Sequence, residues 1–150
     1  MNDVNDGIPE RPLPPLPSLL TGAFEDFRAA LLAGSLPGLR PSHYRVMSLI
    51  PDGGLRLNEL ASRASITKAG IGQFIGYLQR EGYVKLAGDP TDNRAKIVTL
   101  TPEGVAAVEL SRTIIAETEA RWKEALGAER YQELCRSLLE VGALPRPGLP

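Results

Sequence analysis

The sequence predicts a mainly α fold with one small β-hairpin, an α+β class, from three observations within residues 55–101. Leu57, Leu60, Ala61 and Ala64 recur at helical spacing, and Ile71, Phe74, Ile75 and Leu78 do so again at i, i+3, i+4 and i+7. Tyr83 to Leu86 and Lys96 to Leu100 then alternate polar and apolar residues, the period of two half-exposed strands. Between them, Ala-Gly-Asp-Pro-Thr-Asp-Asn-Arg-Ala is composed of turn formers that cannot bury themselves, so a projecting loop is expected. Two short helices followed by a hairpin with a charged tip is the order of a helix-turn-helix with a wing.

The rest of the chain supplies helices on either side. Residues 1–17 contain Pro9, Pro12, Pro14, Pro15 and Pro17 and favour an extended arm. That arm lies along a second copy of the chain, stays unstructured, or serves as a polyproline ligand. From Ser18 to Ala33, the residues Leu20, Ala23, Phe24, Phe27, Ala30 and Leu31 trace one helical face, and Gly34 ends it. Pro41 and Ser42 open a helix to Ile50, with Tyr44, Met47 and Ile50 inward, and Pro51-Asp-Gly-Gly closes it. Leu55 to Leu57 adds a short third strand. Thr67 is the expected N-cap of the second helix of the pair, and Gly82 is its expected end.

Thr101-Pro-Glu-Gly starts another helix, with an N-cap, a proline in the first position and an acid in the first turn. It runs to about Leu126 and has two apolar faces, one with Val108, Ile115 and Trp122 and one with Leu110, Ile114 and Leu126. A final helix from about Ala128 to Val141 carries Tyr131, Leu134, Cys135 and Leu138, and 143–150 is a tail. The winged region is thus 40–101, between flanks at 18–39 and 102–142.

At 150 residues the chain is one domain. A net charge of −1 does not announce a polyanion partner, but the charge is unevenly spread. Between Arg40 and Leu100 nine bases face five acids, a net +4, which leaves −5 on the flanks. The single cysteine excludes an intrachain disulfide, and no Cys/His cluster has zinc spacing, so neither metal nor cofactor is expected. No secretory signal and no bilayer-length apolar run is present, so a cytosolic protein without a membrane partner is expected. Gly70-x-Gly72-x-x-x-Gly76 imitates a loose dinucleotide fingerprint with Asp89 downstream, but no apolar strand precedes it. His43 has no evident nucleophile beside it, and an enzyme is not expected.

The second helix of the pair gives the functional signal. With Ile71, Ile75 and Leu78 inward, the outer face carries Ala69, Gly72, Gln73, Gly76 and Arg80, with Lys68 in the first turn and no acid anywhere. A helix this slim can lie in a DNA major groove, Gln73 pairing with an adenine edge and Lys68 with a guanine or a phosphate. Arg94 at the hairpin tip can reach a neighbouring minor groove, with Asp92 two residues away to hold its guanidinium. The competing reading of Lys68 and Gln73 is ordinary solvated surface, and that of Arg94 a surface ion pair.

Leu39-Arg-Pro-Ser-His-Tyr-Arg-Val-Met-Ser-Leu-Ile50, the helix ending Leu78-Gln-Arg-Glu-Gly-Tyr-Val84, and Asp89-Pro-Thr-Asp-Asn-Arg-Ala-Lys-Ile-Val-Thr-Leu-Thr-Pro-Glu-Gly104 together resemble the MarR family of bacterial transcriptional regulators. The last segment has the family's wing pattern of Asp, one residue, Arg, then Leu-Thr-x-x-Gly, and the match spans roughly residues 18–141. The resemblance implies a winged helix-turn-helix whose end helices interlock two subunits, and a homodimer that presents two recognition helices to a pseudo-palindromic duplex. It implies a transcriptional repressor released by a small aromatic effector bound between the end helices and the winged region. Phe24, Phe27, His43, Met47 and Trp122 are the residues expected to line that pocket. Ser42, His43 and Arg63 join as phosphate contacts by their match to relatives. The expected DNA-binding set is then Ser42, Arg63, Thr67, Lys68, Ala69, Gly72, Gln73, Arg80, Asn93, Arg94 and Lys96, with Asp92 supporting the wing.

The glycines depart from the family, whose members usually carry Ser, Thr or Arg where this chain has Gly70, Gly72 and Gly76. Either the backbone approaches DNA closely, or specificity comes from the wing and from DNA shape, or Gly72 and Gly76 form a close-packing surface for another helix. The last option defines an alternative function, a winged-helix protein-interaction module without DNA binding. Some relatives sense oxidants through a cysteine, but Cys135 lies on an apolar stripe, the place of an inert buried thiol.

Overall fold

The computed structural model describes residues 12–145, the side chain of Asn93 excepted. The proline-rich arm before residue 12 and the tail after 145 lie outside the described residues. The elements are α1 (Leu16–Ala33), α2 (Pro41–Ser48), β1 (Leu55–Arg56), α3 (Leu57–Ala64), α4 (Lys68–Arg80), β2 (Val84–Asp89), β3 (Asp92–Leu100), α5 (Pro102–Leu126) and α6 (Ala128–Gly142). Among the described residues, six helices and a small antiparallel sheet of order β1-β3-β2 make this a mainly α winged helix fold.

The core forms where the apolar stripes converge. Tyr44, Val46 and Met47 of α2, Leu60, Ala61 and Ala64 of α3, and Ile71, Ile75 and Leu78 of α4 are all buried, closed by Val84 and Val98 from the sheet and Ala107 and Val108 from α5. Burying a Leu, Ile or Met side chain contributes about 1.5–3 kcal/mol, so this cluster fixes how the three short helices lie. Helix ends follow local chemistry. Thr67 and Thr101 cap α4 and α5 through hydroxyls that accept the N–H of Gly70 (3.1 Å) and of Gly104 (3.0 Å). Gly82, with φ +82°, turns the chain out of α4 into β2.

Four boundaries differ from the sequence reading. α1 starts at Leu16, not Ser18, because Pro17 falls in its first turn, where a missing N–H has no helical partner to lose. α2 stops at Ser48 rather than Ile50, since Ile50 precedes Pro51 and is pushed away from helical backbone. The third strand is Leu55–Arg56 alone. The hairpin strands are longer than Tyr83–Leu86 and Lys96–Leu100, and the expected nine-residue projecting loop is mostly strand, closing at Pro90 and Thr91.

The pairing runs from Val84 opposite Leu100 to Gly88 opposite Lys96, then jumps to Asp89 opposite Asp92. Asn93, Arg94 and Ala95 are therefore looped out of the ladder as a bulge in β3. β1 pairs with β3 on its other edge, Leu55 opposite Val98 and Arg56 opposite Ile97.

The flanking helices pack on one another more loosely. Phe27 of α1 meets Trp122 of α5 at 5.0 Å between ring centroids, and Asp26 accepts the Trp122 indole N–H at 2.7 Å. That bond first, and Arg121 second, hold the Asp26 carboxyl below its usual pKa. α1 buries no residue completely, and Leu16, Leu19, Leu20 and Phe24 remain exposed. Cys135 is half-buried on α6, one turn beyond the buried Tyr131.

Gly104 lies where α5 crosses the end of α4's exit turn, and a Cβ there would overlap the Tyr83 carbonyl oxygen. Gly104→Ala is expected to lower stability by about 1–3 kcal/mol, as other overpacked sites do. Gly72→Ala, whose Cβ would meet nothing within 4 Å, is expected to raise it by roughly 0.5–1 kcal/mol through helix propensity. Urea unfolding of the two variants checks both signs.

Candidate nucleic-acid interface

Because Ile71, Ile75 and Leu78 are pinned in the core, the opposite side of α4 is forced outward. Thr67, Lys68, Ala69, Gly72, Gln73 and Arg80 are all exposed along it, and the Arg80 guanidinium sits 5.9 Å above the Tyr77 ring. The Thr67 hydroxyl is engaged in its cap, so only its remaining O–H is free to donate. A side chain added at Gly72 or Gly76 would meet nothing within 4 Å. These glycines are thus not a packing surface inside the subunit. They lie within a continuous helix preceded by α3, not in a loop leaving a strand, which removes the phosphate-cradling geometry of a dinucleotide site.

Ser42, at the start of α2, and Arg63, in the last turn of α3, are exposed on helices that both pack against α4. Arg45 braces the pair, its guanidinium donating to the Ala64 carbonyl at the end of α3 (3.1 Å). Arg94 and Lys96 are exposed on β3, and no ion pair engages the Arg94 guanidinium among the described residues. Asn93 belongs to the bulge, and its side chain lies outside the described residues. Two expectations about the wing need correction. Arg94 stands in the bulge, not at the tip, and Asp92 accepts the Arg94 backbone N–H (3.0 Å) instead of holding its guanidinium. This Asx turn takes up the Asp92 carboxylate on the backbone two residues along the chain.

The far end of the wing, beside its turn, holds a group the sequence reading missed. Asp89 is buried, with one oxygen accepting from Arg56 Nε (2.7 Å) and Nη2 (2.6 Å). Its other oxygen accepts the Thr91 N–H (2.8 Å) and hydroxyl (2.7 Å), while Arg56 Nη2 also donates to that hydroxyl (3.1 Å). The Thr91 hydrogen bonds first, and Arg56 after them, hold the Asp89 carboxyl below its usual pKa.

The five residues expected to line an effector pocket are not gathered in one cavity. Met47 is fully buried in the core, Phe24 is exposed on α1, and Phe27 and Trp122 pack on each other. Only His43 of the five lines the pocket of about 620 Å³ between the start of α2 and α4, with Arg40, Gln73, Phe74 and Tyr77. Its ring stacks on Tyr77 (4.8 Å, 17°) and meets Phe74 edge-on, and its Nδ1 accepts the Arg40 N–H at 3.1 Å. Burial first and the Arg40 charge second hold its pKa below the ordinary imidazole value, and because Nδ1 accepts, the neutral form of the ring has its proton on Nε2. The Tyr77 hydroxyl donates to the Gly38 carbonyl (2.7 Å), tying α4 to the connection between α1 and α2.

A carboxylate with a depressed folded-state pKa adds stability above its unfolded pKa of about 3.9 and loses it as pH falls through the folded value. The stability gap between the wild type and Asp89→Asn is therefore expected to be constant near neutrality and to shrink below about pH 3.9. Denaturant unfolding of both across that window measures it.

No protein-family model matches the chain. It is 36% identical over 111 residues to the transcriptional regulator HosA of Escherichia coli O111:H-, covering 71% of this chain and 82% of that protein. Its fold is that of a cysteine-to-serine mutant of E. coli MarR complexed with operator DNA (TM-score 0.74, 22% identity, 87% of this chain and 94% of the other). It is also the fold of the PcaV regulator of Streptomyces coelicolor in complex with its natural ligand (TM-score 0.70, 19% identity, 85% and 91%). With a curated regulator matched across most of both lengths and the winged fold of MarR itself, the chain belongs to the MarR family of transcriptional regulators.

Proposed function

We propose that the protein is a homodimeric repressor that binds pseudo-palindromic duplex DNA through α4 and the wing. The observation that carries this reading is the outward face of α4, where Lys68, Ala69, Gly72 and Gln73 are exposed together without an acid among them. A surface this slim fits a major groove, and Arg94 and Lys96 extend it along the duplex. Ser42, Thr67, Arg63 and Arg80 add phosphate contacts that set register without reading sequence. With few side chains able to reach base edges, specificity falls largely to Gln73, the wing and DNA shape.

The exposed apolar residues support the pairing. Leu16, Leu19, Leu20 and Phe24 of α1, and Leu138, Leu139 and Val141 of α6, are open on the single subunit, and a twofold pairing would cover them. A small-molecule effector would release DNA by binding the dimer better when its two recognition helices are wrongly spaced.

Two measurements test the reading. Fluorescence anisotropy with a duplex selected by the full chain from a random library should give an affinity that falls steeply with salt. Arg94→Ala should weaken it by roughly ten-fold, about 1.4 kcal/mol. Failure to bind any duplex at low salt would return the face of α4 to a protein-docking role. Sedimentation should give a dimer, and the double substitution Leu20→Glu and Phe24→Glu should give monomers; a wild-type monomer would remove the twofold geometry.

A further inference from the structure

We infer that Arg56 is a positioning residue for the wing, acting through Asp89 and Thr91 to hold Arg94 where it meets DNA; this rests on the DNA-binding reading above. Beyond Gly88 the hairpin has no apolar core, since Gly88, Pro90, Thr91, Asp92 and Arg94 are exposed. The ladder is also broken there by the bulge, so backbone pairing does not fix the direction of residues 93–95, Arg94 among them. What remains is polar. Asp89 is the last residue of β2 and buried, and both its oxygens are taken up by Arg56 and Thr91.

Arg56 reaches this carboxylate from the other edge of the sheet, where β1 ends opposite Ile97. One guanidinium therefore ties an element of the body to the last ordered pair of the wing. The Thr91 hydroxyl donates to Asp89 and accepts from Arg56, which closes the triangle. A planar guanidinium that donates from two nitrogens to one carboxylate oxygen and from one of them to the Thr91 hydroxyl fixes direction as well as distance, which an ammonium cannot do. The chain then continues from Asp92, whose carboxylate receives the Arg94 N–H.

Arg56 is itself 46% exposed, so a direct phosphate contact is the competing account. The two accounts give opposite signs at Asp89. Asp89→Asn removes a negative charge near the DNA and by electrostatics alone should tighten binding. If the triangle positions the wing, it should weaken it.

The test measures anisotropy on the selected duplex for Arg56→Gln, Asp89→Asn, Thr91→Val, Arg94→Ala and the Arg56→Gln/Arg94→Ala double variant, with thermal unfolding to confirm that each is folded. Arg56→Gln and Asp89→Asn are each expected to lose about as much affinity as Arg94→Ala, roughly ten-fold, and the double variant no more than the single ones. The exposed Thr91→Val removes only the bridging hydroxyl and should show a smaller loss of the same sign. An additive double variant, or an Asp89→Asn that binds as well as or better than the wild type, overturns the inference while leaving the wing contact standing. An Arg94→Ala that binds like the wild type overturns the wing contact and this inference together.

Discussion

The interior stripe of α4 governs the rest of the molecule. Ile71, Ile75 and Leu78 meet Leu60, Met47 and Val98 in one closed cluster, and a helix of 13 residues has no freedom to roll once three of its side chains are buried that completely. The outward face is a consequence of that burial. Its glycines and its lack of acids matter only because the other side is spoken for. Helix propensity runs against this arrangement, since Gly70, Gly72 and Gly76 each weaken an isolated helix. Tertiary packing and the Thr67 cap hold it instead.

The wing is built on the opposite logic. Its lower half shares the core through Val84 and Val98, while its upper half has nothing apolar to bury. Direction there depends on a buried charge that cannot tolerate being left unpaired. The same chain thus fixes α4 by shape and the wing by ion pairing. The two respond differently to solution conditions, because acid reaches Asp89 and leaves the aliphatic cluster untouched.

Much of this was legible in the sequence, and the parts that were not share a cause. Periodicity found α3 and α4 because each buries one stripe, and Thr67, Gly82 and Thr101 marked ends through chemistry local to a few residues. The bulge and the Arg56–Asp89 pair depend on strand register across 33 residues, which no local window contains. Part of the signal was present. Asp89-Pro-Thr91 is an Asx-turn sequence, and the third strand placed Arg56 on the sheet. Joining the two required knowing that β1 pairs with β3 and not β2. Phe27 and Trp122 pack on each other and Met47 is buried in the core, because Phe, Trp and Met at helical spacing satisfy a core or a helix contact as well as a ligand.

The bond from the Tyr77 hydroxyl to the Gly38 carbonyl carries a mechanical meaning. Gly38 lies in the short link that leaves α1, and Tyr44 holds the same link by accepting the Leu36 N–H (2.9 Å). A lever so short, fastened at both tyrosines, has little slack. On the twofold pairing proposed above, a small tilt of α1 against its mate would be pulled through that link to the middle of α4. The distance between the two reading heads could then change without any rearrangement of the aliphatic interior.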